Sequence, residues 1–142
     1  MKEIAVQLTA AFLGSLGFSL VFGLHRRYLF AASAGGAMAW GVFLAAQAWL
    51  GTDFLPCLIA SAFAVLYSEL MARRLKTPAT LFAIPSVLPL LPGGSLYYAM
   101  SHAVRGELDE ARAFGTKTLL YALAIAAGIS IVVAFRALRE KR

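Results

Sequence analysis

This chain carries little with which to do covalent chemistry. Its 142 residues include one cysteine, two histidines and seven acidic residues. A lone Cys57 excludes an intrachain disulfide and any metal site built on several cysteines. It lies in an apolar run and reads as a small packing residue. His25 and His102 are far apart in the chain. No Ser/His/Asp set, HExxH motif, Walker loop or metal-ligand spacing accompanies them. No enzyme activity, cofactor or metal is therefore expected. Charge is scarce too, at 14% of residues, where a soluble domain carries about a quarter. The net charge of +6 would suggest nucleic acid in a soluble protein. No basic patch is interleaved with exposed aromatics, so no nucleic-acid partner is expected.

What is abundant is apolar surface: 61% of residues are hydrophobic and the mean hydropathy is +0.76. Five apolar segments follow one another: Ile4–Leu24, Tyr28–Leu50, Phe54–Met71, Ala79–Ala103 and Gly115–Phe135. Each is near the ~20 residues that a helix needs to cross a bilayer. The expected fold is all-α, a single polytopic transmembrane domain over residues 1–142 whose solvent is the lipid bilayer. The first segment is too long for the apolar core of a signal peptide, and positive charge follows it more than precedes it. It is expected to be retained. The stretch from Arg105 to Phe114 reads as a connection, with Glu107, Asp109 and Glu110 on a short polar surface helix.

Charge sets the expected orientation. One set of segment ends carries Arg26, Arg27, Arg73, Arg74, Lys76, Arg136, Arg139, Lys141 and Arg142. The other carries Lys2, Arg105, Arg112 and Lys117, diluted by Glu3, Asp53, Glu107, Asp109 and Glu110. Lysine and arginine accumulate on the cytoplasmic side. The N-terminus is thus expected outside and the C-terminus in the cytoplasm, which five spans satisfy.

The fourth segment departs from an ordinary membrane helix. It contains Ile84-Pro-Ser-Val-Leu-Pro-Leu-Leu-Pro-Gly-Gly-Ser-Leu-Tyr-Tyr98. Pro85, Pro89 and Pro92 lack N–H donors and share one helical face. The span is expected to break at Pro92-Gly93-Gly94. Broken backbone at membrane depth survives only where protein or a water-filled cavity surrounds it, and transporters use such breaks to hold substrates. A new helical turn near Gly94 would present free N–H groups of Ser95 to Tyr97 to a carboxylate. The two glycines would let a ligand approach the backbone. Ser86, Pro89, Pro92, Gly93, Gly94, Ser95, Tyr97 and Tyr98 are the expected substrate-binding residues. The competing reading is a proline-kinked helix without a ligand.

Two titratable groups are candidates for proton coupling. Glu69 is the one carboxylate inside an apolar segment, and such groups often mark ion paths. Arg73, four residues on, is its expected ion-pair partner. His102 is the second candidate, because histidine is the side chain suited to proton coupling near neutral pH, with a polar interfacial anchor as the alternative. Gln47 reads as an amide bonding between helices. Trp40, Trp49 and Tyr28 read as packing or interfacial aromatics. Small residues at Gly14, Gly17, Ser33, Gly35, Gly36, Ala124 and Gly128 suit close helix packing.

On the Pro-x-x-x-Pro-x-x-Pro-Gly run of Pro85, Pro89, Pro92 and Gly93, followed by aromatic positions, the chain resembles the threonine/serine exporter family. The likeness is to a small five-span member corresponding to the C-terminal half of the full-length exporter, and covers essentially the whole chain. It is also similar to the small subunit of the two-component bacterial succinate exporter. The resemblance implies secondary export of small amino acids or a dicarboxylate from the bacterial cytoplasmic (inner) membrane. It implies a partner, a larger membrane subunit of the same family, with a homo-oligomer as the other assembly. A non-transporting structural or assembly subunit is the alternative function.

Overall fold

The computed structural model describes residues 1–140; Lys141 and Arg142, two members of the basic set, lie outside them. Six α-helices follow in order: α1 Lys2–Val21, α2 Arg26–Leu50, α3 Phe54–Leu75, α4 Thr80–Val87, α5 Gly93–Val104 and α6 Leu108–Glu140. A 3₁₀ turn, Leu88–Leu90, continues α4. No strand occurs among the described residues. The chain is an all-α, polytopic membrane protein.

Four helices, α1, α2, α3 and α6, are long and apolar enough to cross a bilayer. The fourth segment is the exception. Its halves, Thr80–Leu90 and Gly93–Val104, are bent by 52° across the break. Counted as one span they make five. Their contacts show that the pair runs from one end of the bundle to the other. Phe82 at the start of α4 meets Tyr28 at the start of α2 (ring centroids 6.1 Å apart). At the far end, Tyr98 and His102 of α5 lie against Phe114 of α6.

The turns are built by local chemistry. Gly51 closes α2 with φ +62°, and its N–H donates to the Gln47 carbonyl. That left-handed conformation costs glycine nothing because it has no Cβ. The α3–α4 turn adopts the same conformation at Lys76, the single non-glycine residue with positive φ among the described residues (φ +52°). The connection after α5 is shorter than the sequence pattern suggested. Gly106 turns the chain at φ +79°, and α6 begins at Leu108. Asp109 and Glu110 therefore occupy the first turn of α6, where carboxylates favour the positive end of the helix dipole. They do not form a separate surface helix. The resulting 33-residue helix is about 50 Å long at ~1.5 Å per residue, well beyond ~30 Å of hydrocarbon.

Packing is by small residues. Ala39, Ala60, Ala64 and Ala124 are fully buried and pack with Phe43, Cys57, Leu90 and Ile125. One close approach joins α3 to α6. A Cβ on Gly128 would lie 2.5 Å from the Leu58 carbonyl oxygen and 2.1 Å from Ser61 Oγ. Small interfacial residues are what helices need where hydrocarbon replaces water. The outer surface is apolar, with Leu13, Phe30, Trp49 and Phe135 exposed, as a bilayer-facing surface requires.

Polar ties mark the two ends. At one, Gln47 Nε2 donates to Asp53 Oδ1 (2.8 Å), and Lys117 Nζ lies 3.4 Å from Asp53 Oδ2. Gln47 thus bonds to the α2–α3 turn, and through Asp53 to α6. At the other, Arg136 Nη1 of α6 donates to Glu69 Oε1 of α3 (3.0 Å). The expected helical pair of Glu69 with Arg73 gives way to this longer-range one. Arg136 is 67 residues away in sequence, and only the antiparallel course of α3 and α6 brings it close.

Candidate functional site

The prolines of the fourth segment create the site by what they cannot donate. Pro89 has no N–H, so the carbonyl of Pro85 loses its usual helical partner four residues on. Ser15 of α1 takes that place: its Oγ–H donates to the Pro85 carbonyl at 2.9 Å. Pro92 likewise deprives Leu88, whose carbonyl accepts from the Leu91 N–H at 3.1 Å in the 3₁₀ manner. The helix then stops, Pro92 precedes α5, and no side chain caps the first turn of α5.

Ser86, beside Pro85, is fully buried. Six serines are buried in this way. Five donate to backbone carbonyls: Ser15 to Pro85, Ser19 to Ser15, Ser33 to Leu29, Ser61 to Leu58 and Ser68 to Ala64. Ser86 Oγ alone among them has no hydrogen-bond partner. A buried hydroxyl without a partner is costly. Its surroundings are tight. A Cβ on Gly35 would lie 2.1 Å from Ser86 Oγ and 2.6 Å from the Tyr67 ring, and one on Gly36 would lie 1.9 Å from Ser15 Oγ. Tyr67 is itself held by its hydroxyl, which donates to the Ala31 carbonyl at 2.7 Å. Gly35 and Gly36 of α2 thus form the floor on which Ser15, Pro85 and Ser86 meet.

Pro89 faces a second feature, a cavity of about 250 Å³ lined also by Gln7, Ala10, Ala11 and Trp40. Across it, Trp40 Nε1 donates to Gln7 Oε1 at 3.2 Å. Leu90 packs in the cluster with Cys57 near the start of α3. The break therefore lies in the half of the bundle that holds the α2–α3 turn.

The remaining residues of the run lie elsewhere. Gly93 and Gly94 sit in the first turn of α5, and a Cβ on either would meet nothing within 4 Å. Tyr97 and Tyr98 are exposed, at 68% and 51%. Ser95 is half-buried. No residue of α5 is buried. The structure brings Ser86 and Pro89 into the bundle and leaves Gly93 to Tyr98 on its outside. His102 pairs through Nδ1 with the Glu107 carboxylate and stacks on Phe114 with rings 3° from parallel. It fastens the α5–α6 turn. Ser15 and Tyr67 were not anticipated from sequence; Gly35 and Gly36 were read only as packing residues, and Trp40 as a packing or interfacial aromatic. The spacing of Ser15 and Ser19, four apart and the only buried residues of α1, was the available signal.

The family described as Threonine/Serine exporter, ThrE, matches residues 7–135. The chain belongs to the threonine/serine exporter family. No curated protein matches the chain. No solved structure matches it. As a family member it is a membrane exporter of the threonine/serine type. The match reaches into every helix described above and takes in the broken helix and the Ser15–Pro85 contact.

Proposed function

We propose that the chain is the small membrane subunit of a secondary exporter for small carboxylate-bearing metabolites, threonine, serine or a succinate-like dicarboxylate. The observation that carries this reading is the Ser86 hydroxyl, buried beside Pro85 in the helix that leads to the break, with its donor unspent. Transporters place substrates at helices broken in this way. Ser86 and Pro89 form the inner wall of the site. Gly93, Gly94, Ser95, Tyr97 and Tyr98 form an outer wall, and Pro92 separates the two. The uncapped first turn of α5 offers N–H groups and the positive end of a helix dipole to a carboxylate. Gly93, Gly94 and Tyr97 are open on the outside of the bundle, so a second chain completes the site. The larger membrane subunit of the same family is the proposed partner. The basic residues at one end of the bundle support a cytoplasmic C-terminus in a bacterial inner membrane.

Coupling to protons is assigned to Glu69 or His102: a proton on Glu69 would open its ion pair with Arg136, and a proton on His102 would complete its ion pair with Glu107. Glu69→Gln is expected to flatten the pH dependence of export if Glu69 carries the proton. An unchanged profile with a lowered Tm would leave it a structural tie.

The test is efflux of preloaded radiolabelled succinate, serine and threonine from cells expressing this chain with and without the larger subunit. Efflux only with both chains is expected, and names the substrate. Efflux with this chain alone would replace the partner by a homo-oligomer. No efflux despite confirmed insertion and assembly would overturn the substrate class and favour a non-transporting subunit.

A further inference from the structure

The end of the bundle remote from the break carries a cavity of a different character. It measures about 510 Å³ and opens between the C-terminal turns of α3, the α3–α4 turn and α6. Arg73, Lys76 and Arg136 contribute cations to its lining, and Glu69, paired with Arg136, the one carboxylate. Thr77 also lines it, and its hydroxyl is buried without a hydrogen-bond partner. Lys76 holds the left-handed conformation that glycine occupies at the other turns. A lysine kept in a conformation that disfavours it points to a use for its ammonium group.

The Glu69–Arg136 pair lines a second cavity as well, of about 300 Å³. This one runs along α3 and α6 over Leu66, Ile131, Val132 and Phe135. Leu66, Ile131 and Phe135 are exposed on the bilayer-facing surface. A cationic cavity thus adjoins an apolar groove, with one ion pair on the wall of both. The complementary ligand is an amphiphile with an anionic head. Basic pockets between membrane helices hold lipid headgroups in this way.

We propose that this end of the chain is a binding site for an anionic phospholipid. The phosphate lies against Arg73, Lys76 and Arg136, and an acyl chain lies in the groove over Leu66, Ile131 and Phe135. The site is separate from the broken span and independent of the substrate assigned to it. A bound lipid would bridge α3 and α6 where the Glu69–Arg136 ion pair links them, and so steady the end of the bundle opposite the break.

The test is native mass spectrometry of the full chain in detergent, titrated with phosphatidylglycerol or phosphatidylcholine of the same acyl chains. Phosphatidylglycerol is expected to bind the more tightly. The variant Lys76→Gly removes the cation while easing the turn, so a loss of binding in it is not a loss of fold. Each basic side chain near an anionic headgroup is worth about fivefold in affinity, so Arg73→Gln with Lys76→Gly is expected to weaken phosphatidylglycerol about 25-fold. Phosphatidylcholine binding should change little. Equal affinity for the two lipids, or a preference that survives the double substitution, would overturn the proposal. Displacement of phosphatidylglycerol by millimolar inorganic phosphate or succinate would also overturn it, and make the cavity a site for soluble anions.

Discussion

Two serines one helix apart have opposite expected behaviour. Ser15→Ala strands the Pro85 carbonyl, which no amide can reach, and is expected to cost about 1–3 kcal/mol. Ser86→Ala removes a hydroxyl that nothing in the chain satisfies, so stability should hold or rise by up to about 1 kcal/mol. Thermal unfolding in detergent compares them, and similar losses in both would mean that Ser86 has a partner. Export should fall in Ser86→Ala in spite of its intact fold, because the proposed role of that hydroxyl is to bind substrate. Gly36→Ala drives a Cβ to 1.9 Å from Ser15 Oγ and 3.0 Å from the Pro85 carbonyl. Overpacking of this kind costs about 1–3 kcal/mol, and a lowered Tm is the expected reading.

At the scale of the element, the break in the fourth span follows from missing donors. Pro89→Ala supplies an N–H to the Pro85 carbonyl, which then no longer depends on Ser15. In that background Ser15→Ala should cost little, giving a coupling of about 1 kcal/mol between the two positions in a double-mutant cycle. Additive losses would show that the serine stabilises α4 by some other contact. Gly93→Val and Gly94→Val probe the other side of the break. A Cβ at either position meets open space, so expression and Tm should stay close to those of the parent. Efflux measured on the same cells should drop if the first turn of α5 receives substrate. Unchanged efflux in both would remove these two glycines from the site. Legibility differed along this one element. The three prolines and two glycines announced a break, whereas the serine that stabilises it lies 70 residues upstream in a helix of ordinary membrane composition.

For the whole molecule the open question is what covers α5. Its Leu96, Tyr97, Met100 and Val104 are exposed, and it packs chiefly on α6. With the native Cys57 buried, a cysteine placed by Tyr97→Cys offers a single accessible thiol. Maleimide labelling at that position is expected to fall several-fold when the larger subunit is co-expressed. Equal labelling with and without it would show that the partner docks elsewhere. The end-to-end course of the broken pair also became clear only at this scale. Hydropathy finds an apolar stretch of sufficient length, but a re-entrant loop would have the same composition. Contacts of Phe82 with Tyr28 and of His102 with Phe114 place the two halves at opposite ends of the bundle.

Composition and periodicity were enough to establish an all-α membrane protein, its segments and the position of its break. Those properties depend on chain-local quantities: hydrocarbon transfer and the missing N–H of proline. Partner choice was beyond them. Glu69 had an arginine four residues away and took one from α6 instead. Ser86 looked no different from five other buried serines until its neighbours were in place. Which donor meets which acceptor is set by the antiparallel packing of helices through Gly35, Gly36 and Gly128, at distances of 1.9–2.6 Å from a hypothetical Cβ. Only the tertiary structure decides that, because it depends on residues 30 to 70 positions apart approaching within van der Waals contact.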